Sequence, residues 1–151
     1  MKSKQEIKQA LYNKVQEAQR EIILHAGKAM ENLDQDASEY EQEDDLYDPT
    51  KAEMRKQKDL IAEQYEKAVK EDEVLQRMDP SRISEKAEFG AVVVTNKYNM
   101  FISIGIGKVT LDDTIYYAVS TSVPVYEKIK GLKKGDAFAF NNQSFTIKDV
   151  F

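Results

Sequence analysis

The sequence predicts an α+β fold, in which a long antiparallel helical hairpin (a coiled coil) at the N-terminal end precedes a small β-rich domain with one short helix. Three observations predict it. Residues 1–85 hold most of the charge and almost no β-branched runs, whereas residues 86–151 hold five of the six glycines and most of the Val, Phe and Thr. Two narrow apolar stripes at helical spacing lie in the first half. Several β-branched and aromatic runs, separated by turn residues, lie in the second. These observations divide the 151 residues into a hairpin over 1–79 with an acidic tip at about 31–49, a linker over 80–88 and a β domain over 89–151.

The first helix is expected from about Gln5 to Leu33, because Ile7, Leu11, Val15, Ala18, Ile22, Ala26, Ala29 and Leu33 recur at three- and four-residue intervals. At 1.5 Å per residue it would run roughly 43 Å. A second stripe begins after Asp48-Pro49-Thr50, where Pro can occupy a first-turn position. It continues through Met54, Ile61, Tyr65, Ala68 and Leu75 and stops near Met78-Asp79-Pro80. Two helices of similar length, each with one narrow apolar face, bury those faces most simply on each other. A coiled coil between two chains is the competing arrangement. The polar segment between the stripes and Pro49 at its far end favour the intramolecular hairpin, so a monomer is expected.

In the second half, residues 91–96 (AVVVTN), 99–105 (NMFISIG), 114–120 (TIYYAVS), 136–140 (DAFAF) and 144–151 (SFTIKDVF) read as a sheet of about five strands. Asp112-Asp113 and Asn141-Asn142 supply turn chemistry. Residues 123–130, closed by Gly131, read as one short helix covering the sheet. Ser120, Thr121 and Ser122 form the one hydroxyl cluster, which a turn or helix cap accounts for without catalysis. A sheet with one helix is expected to be too small for a large pocket or an aromatic-lined prolyl-isomerase site.

Composition excludes several chemistries. With no cysteine, the chain has no disulfides, thiolate metal sites or thiol nucleophiles. His25 is the only histidine and is expected to be a packing or surface residue, since no second His or Cys exists to complete a site. A formal net charge of −5 argues against phosphate-backbone binding as the main activity, because that binding rests on clustered Lys and Arg. No apolar stretch reaches the roughly 18 residues a membrane span needs, and MKSKQEIKQ lacks a signal-peptide core. A cytoplasmic location is the expectation.

Chemistry concentrates at the tip. From Glu31 to Asp48 there are nine acidic residues (Glu31, Asp34, Asp36, Glu39, Glu41, Glu43, Asp44, Asp45, Asp48) and no Lys or Arg. Such like charge repels itself unless solvated or met by a cation or a basic partner. The EF-hand pattern fails here for want of the Gly its loop requires. A weaker oxygen site for Mg²⁺ is compatible, since that ion keeps most of its waters and takes only one or two protein carboxylates. Asp36 and Glu39 stand three residues apart, a spacing that places two carboxylates side by side on a helical turn.

The order of parts resembles the Gre-type bacterial transcription elongation factors, in which a coiled-coil hairpin is followed by an FKBP-like domain. Phe89-Gly90-Ala91-Val92-Val93-Val94 resembles the family's opening strand, and AVSTSVPVYEKIKGLKKGD (118–136) is similar to its run of strand, Ser-Pro-like turn, short helix and Gly-Asp turn. Asp36-Ala37-Ser38-Glu39 resembles the family's Asp-Leu-Ser-Glu tip, while Tyr40 stands where Asn usually follows. Tyr126, Glu127 and Lys128 replace small residues in the helix after the turn.

The resemblance implies an accessory factor that is not itself an enzyme. Its tip would enter the secondary channel of RNA polymerase, reach the nascent RNA 3′ end there, and stimulate cleavage of backtracked RNA. Asp36 and Glu39 would help hold a Mg²⁺ shared with the polymerase, with Ser38 as a supporting polar contact. The alternatives are a channel regulator or inhibitor without cleavage activity, and a coiled-coil adaptor unconnected with polymerase.

Overall fold

The computed structural model describes residues 2–40 and 49–151, with the side chains at 34–40 outside the described set. Its elements run α1 (Lys4–Tyr40), α2 (Pro49–Gln76), β1 (Val92–Thr95), β2 (Asn99–Ile102), β3 (Gly107–Leu111), β4 (Thr114–Val119), α3 (Pro124–Ile129), β5 (Ala137–Phe140) and β6 (Gln143–Val150). Two long helices, a six-stranded sheet and one short helix are the expected α+β architecture. The chain forms two compact units: Met1–Ala18 with Val74–Phe151, and Gln19–Glu73.

In the Gln19–Glu73 unit, Gln19 meets Ala68 and Gly27 faces the Tyr65 ring. Rising numbers on α1 thus meet falling numbers on α2, the antiparallel arrangement. Gly27 has a local use, since a Cβ there would stand 3.6 Å from the Tyr65 ring. The seam departs from the expected stripe at one point. Ile22 is 46% exposed, while Gln19 is fully buried and donates from Nε2 to the Ala68 carbonyl at 2.6 Å.

The other unit is built on the sheet, ordered β3-β4-β2-β1-β6-β5. All pairings are antiparallel except β2 with β4. One face packs on the two helix ends: Leu11 and Val15 of α1 and Leu75 of α2 join Val92, Phe101 and Phe151. The opposite face packs on α3, whose Val125 and Ile129 are buried with Val93, Met100, Ile102 and Ile147. Strands β1 and β2, covered on both faces, are apolar almost throughout, whereas β4, covered on one face, alternates. In β4, Tyr116 and Ala118 point to the helix-end cluster, and Tyr117 points the other way.

The sheet has six strands rather than the expected five or so, β3 being the addition. It pairs with β4 through a two-residue turn at Asp112-Asp113, where φ is +49° and +65°. Asn141-Asn142 makes the equivalent turn between β5 and β6, with φ of +51° and +61°. Asp and Asn tolerate this left-handed backbone better than most side chains, and consecutive positive φ values suit the twist of tight hairpins. The 80–88 segment lies in the sheet unit. Ala87 is buried and exchanges backbone hydrogen bonds with Leu132 and Gly131, and Lys86 forms an isolated bridge with Lys133.

Candidate functional site

Helix α1 continues past Leu33 to Tyr40, so Asp36, Ser38 and Glu39 stand on helical backbone. Their side chains lie outside the described residues, as do Glu41, Glu43, Asp44, Asp45 and Asp48 in the segment that follows. Positions 36 and 39 are separated by just under one helical turn at 3.6 residues per turn. Pro49 opens α2, as its fixed φ and missing N–H allow at a first helical position. Among the described residues no group of three or more His, Cys, Asp or Glu is placed to hold a metal ion. His25 is exposed.

Two further constellations lie in the sheet unit. Lys8 of α1 is 1% exposed, and its Nζ donates to the Arg82 carbonyl at 2.5 Å and to Ser84 Oγ at 3.4 Å. Burial lowers its pKa from 10.5 to about 8, opposed by the attraction of Glu88 and aided by the repulsion of Arg82. Neutral acceptors satisfy the ammonium without an ion pair, and this ties α1 to the chain leaving α2. That chain is itself shaped by Asp79, whose carboxylate accepts from the Ser81 hydroxyl and backbone N–H and is held below its ordinary value by those bonds.

The second is an open cleft of about 500 Å³ on the α3 side of the sheet, lined by Lys97, Tyr98, Met100, Tyr117, Val119, Val125 and Phe140. Tyr98 packs edge-on against Tyr117 at 6.0 Å and against Phe145 at 5.2 Å. Burial raises its phenol pKa. The domain therefore does carry an aromatic-lined cleft, contrary to the expectation from its size. Strands β2 and β4, the Lys97-Tyr98 turn and Phe140 of β5 supply the wall that a helix alone would not.

No protein-family model matches the chain, and no curated protein sequence matches it. Among solved structures, the transcription factor Gfh1 is similar at 17% identity, covering 93% of this chain and 91% of that one with a TM-score of 0.34. GreA factor homolog 1 (Gfh1) of Thermus thermophilus is similar at 15% identity, covering 94% and 93% with the same TM-score of 0.34. Both likenesses run along nearly the whole chain and are loose in space.

The hydroxyl cluster has a structural part. Ser120 and Ser122 share a 2.7 Å hydrogen bond, and Ser122 N–H donates to Ser120 Oγ. The α3 N-cap is Val123, without a side-chain cap bond, so these residues shape the turn and do not cap the helix. Neither Lys8 nor the cleft was singled out by the sequence reading. Signals existed for both. Lys8 continues the spacing of Leu11 and Val15 backwards by three residues, which places it on the buried face. The run Ile115, Tyr116, Tyr117, Ala118, Val119 is apolar at both alternations, more than one covering helix accounts for.

Proposed function

We propose that the chain is an RNA polymerase-binding transcription elongation factor whose hairpin tip enters the polymerase's secondary channel and stimulates cleavage of backtracked RNA. The observation that carries this reading is the placement of Asp36-Ala37-Ser38-Glu39 in the last turn of α1, immediately before the acidic segment that joins it to α2. A hairpin followed by a small β domain with one short helix is the order of parts that the resemblance implies.

In this reading the protein is an accessory, and hydrolysis belongs to the polymerase. Asp36 and Glu39 supply carboxylates toward a Mg²⁺ shared with the polymerase active site, and Ser38 gives a polar contact beside them. Two carboxylates on adjacent helical positions suit an ion that takes one or two protein ligands and draws the rest from a partner. Such an ion would supply acidification of a coordinated water and stabilisation of charge on the scissile phosphate, and Asp36 and Glu39 would be the residues of this chain that help hold it. Presenting the carboxylates from a helix end, and not from a loose loop, limits the ordering entropy lost on entering the channel.

A second reading keeps the docking without the chemistry, and the sequence departures favour it. Tyr40 follows the tetrad, and five further acidic residues crowd positions 41–48, charge enough to perturb the channel without catalysis. A cleavage assay on stalled, backtracked elongation complexes decides between the two. Stimulation by the wild-type protein, lost in Asp36→Asn with Glu39→Gln at unchanged polymerase binding, is the result expected. Binding without acceleration across a Mg²⁺ series establishes the regulator, and failure to bind polymerase removes both readings in favour of an adaptor.

A further inference from the structure

The chain that leaves α2 and crosses to the sheet carries a polar hollow of about 420 Å³, lined by residues between Arg82 and Glu88 together with Lys133. Hydrogen bonds fix its frame at both ends. The Asp79 carboxylate accepts from the Ser81 hydroxyl and N–H, and the Arg82 N–H donates to the Asp79 carbonyl at 3.2 Å. Further on, the Ala87 N–H donates to the Leu132 carbonyl and the Gly131 N–H to the Ala87 carbonyl, both at 2.8 Å. Lys86 and Lys133 are thereby set opposite one another as partners of an antiparallel bridge. Lys133 is also pinned by its own N–H, which donates to Asp136 Oδ2 at 2.8 Å.

The charge in this frame is unbalanced. Like charges directly opposite in a β pairing repel, and among the described residues neither lysine has a carboxylate partner. Glu88 is engaged by Arg82 at 3.6 Å, and Glu85 lines the hollow without pairing with either lysine. The buried Lys8 ammonium adds a further positive charge. It meets only neutral oxygens, the Arg82 carbonyl and Ser84 Oγ, while Glu88 and Asp79 attract it and Arg82 repels it through space. Ser84 joins the two groups, since it is 5% exposed, accepts from Lys8 and lines the hollow. Among the described residues no acceptor takes its own proton. A hydroxyl polarised by an ammonium is a stronger donor than a free one.

We propose that this hollow binds a phosphate group, free or esterified to a small molecule, with the Lys86 and Lys133 ammonium groups meeting its oxygens and the Ser84 hydroxyl donating to it. It shares no residue with the hairpin tip and does not depend on the function proposed there. A carboxylate is the weaker candidate, because Glu85 is already at hand and satisfies neither lysine. A phosphate brings more charge and more acceptor oxygens to cations arranged on two sides. The volume falls within the range of small-ligand sites, about 300–1,000 Å³, and Ile83, 40% exposed, gives the lining an apolar surface for the carbon portion of an ester. Two unpaired lysines are too few for a nucleic-acid backbone, whose binding scales with the number of phosphates neutralised.

Titration of the isotope-labelled full chain with inorganic phosphate, glycerol 3-phosphate and adenosine monophosphate, each at an ionic strength matched with chloride, tests this by NMR. Backbone resonances of Ser84, Glu85, Lys86 and Lys133 are expected to shift. The Lys8 side-chain carbon next to the ammonium, assigned by its absence from Lys8→Met, should titrate at a higher pH when phosphate is bound, because an added anion favours the charged form. Lys86→Gln with Lys133→Gln changes two exposed side chains and should weaken binding at least about tenfold, with the rest of the spectrum unmoved. Tighter binding of an ester than of inorganic phosphate would assign the site to an organic phosphate, and the reverse to the free ion; both uphold it. Chloride acting as strongly as phosphate would overturn the proposal. So would shifts confined to other residues, an unmoved Lys8 titration at saturation, undiminished binding by the double variant, or tighter binding of a single-stranded RNA oligomer without terminal phosphate.

Discussion

Lys8 is where the structure makes its sharpest residue-scale statement. A lysine whose pKa falls from 10.5 to about 8 on folding is a charge the fold holds at a cost. Below pH 8 both states carry the proton and the cost is present in full. Between about 8 and 10.5 the folded state releases the proton while the unfolded state keeps it, so stability rises with pH across that window. At about 1.4 kcal/mol per unit, the wild type should gain on the order of 2–3 kcal/mol over Lys8→Met between pH 7 and 10. Urea midpoints of both proteins across the range measure this, and parallel pH profiles would refute it. Glu88, Arg82 and Asp79 act on the same ammonium, so the difference between variants is the quantity to read. Gly90 makes a different demand. Its φ is +93°, and a Cβ there would sit at an ordinary 3.5 Å from Met78 Cγ, so the constraint is the backbone and not space. Gly90→Ala should cost about 1–3 kcal/mol, visible as a lowered urea midpoint with an unchanged slope. The glycine was legible in the Phe89-Gly90-Ala91 run; why it must be glycine was not, because φ is a property of the folded turn.

Elements were legible to the degree that one face alone decides them. Both long helices and the short one follow from their stripes, and five strands from their β-branched runs. The strand Gly107–Leu111 escaped because it begins on a glycine and shows only Val109 and Leu111 to the core. The end of α1 escaped because residues 34–40 carry charge and no stripe, so periodicity falls silent while the backbone stays helical. In the hairpin seam, alternation placed Ile22 inward, yet Gln19 is the buried residue and Ile22 the exposed one. Gln19 contributes a bond to the Ala68 carbonyl, while its Oε1 accepts no hydrogen bond among the described residues. A buried amide with one free acceptor costs stability and can fix register, as polar residues do in coiled-coil seams. Gln19→Leu should therefore raise the thermal midpoint by the equivalent of about 1 kcal/mol, while cross-linking between cysteines introduced at paired positions of α1 and α2 should spread over more than one register. A lower midpoint with a single register would mean that the Ala68 bond outweighs the buried acceptor. Leu11, at the α1 end, is fully buried against the sheet. Leu11→Ala should cost 2–5 kcal/mol as an ordinary large-to-small core change, read from denaturant unfolding.

For the whole molecule, the decisive test is whether the charge at the hairpin tip acts on a metal in another protein's active site. Composition showed only an acidic segment, and the tetrad within it stood out by resemblance; helix geometry adds that positions 36 and 39 share a turn of α1. Asp36→Asn with Glu39→Gln preserves side-chain shape and removes two of nine like charges. Relief of repulsion makes loss of folding an unexpected result, so any functional loss reports on the carboxylates. If they help hold a shared Mg²⁺, their contribution depends on how fully the polymerase holds that ion unaided. Stimulation of transcript cleavage should then be greatest when Mg²⁺ is limiting and should shrink toward saturation. The double variant should fall at least about tenfold below wild type at low Mg²⁺, equivalent to about 1.4 kcal/mol of lost transition-state stabilisation, and approach it as Mg²⁺ rises. A deficit that is constant at every Mg²⁺ concentration would show that the carboxylates act on water or RNA and not through the metal. A wild-type protein that binds polymerase and slows cleavage at all concentrations would assign the acidic tip to obstruction of the channel.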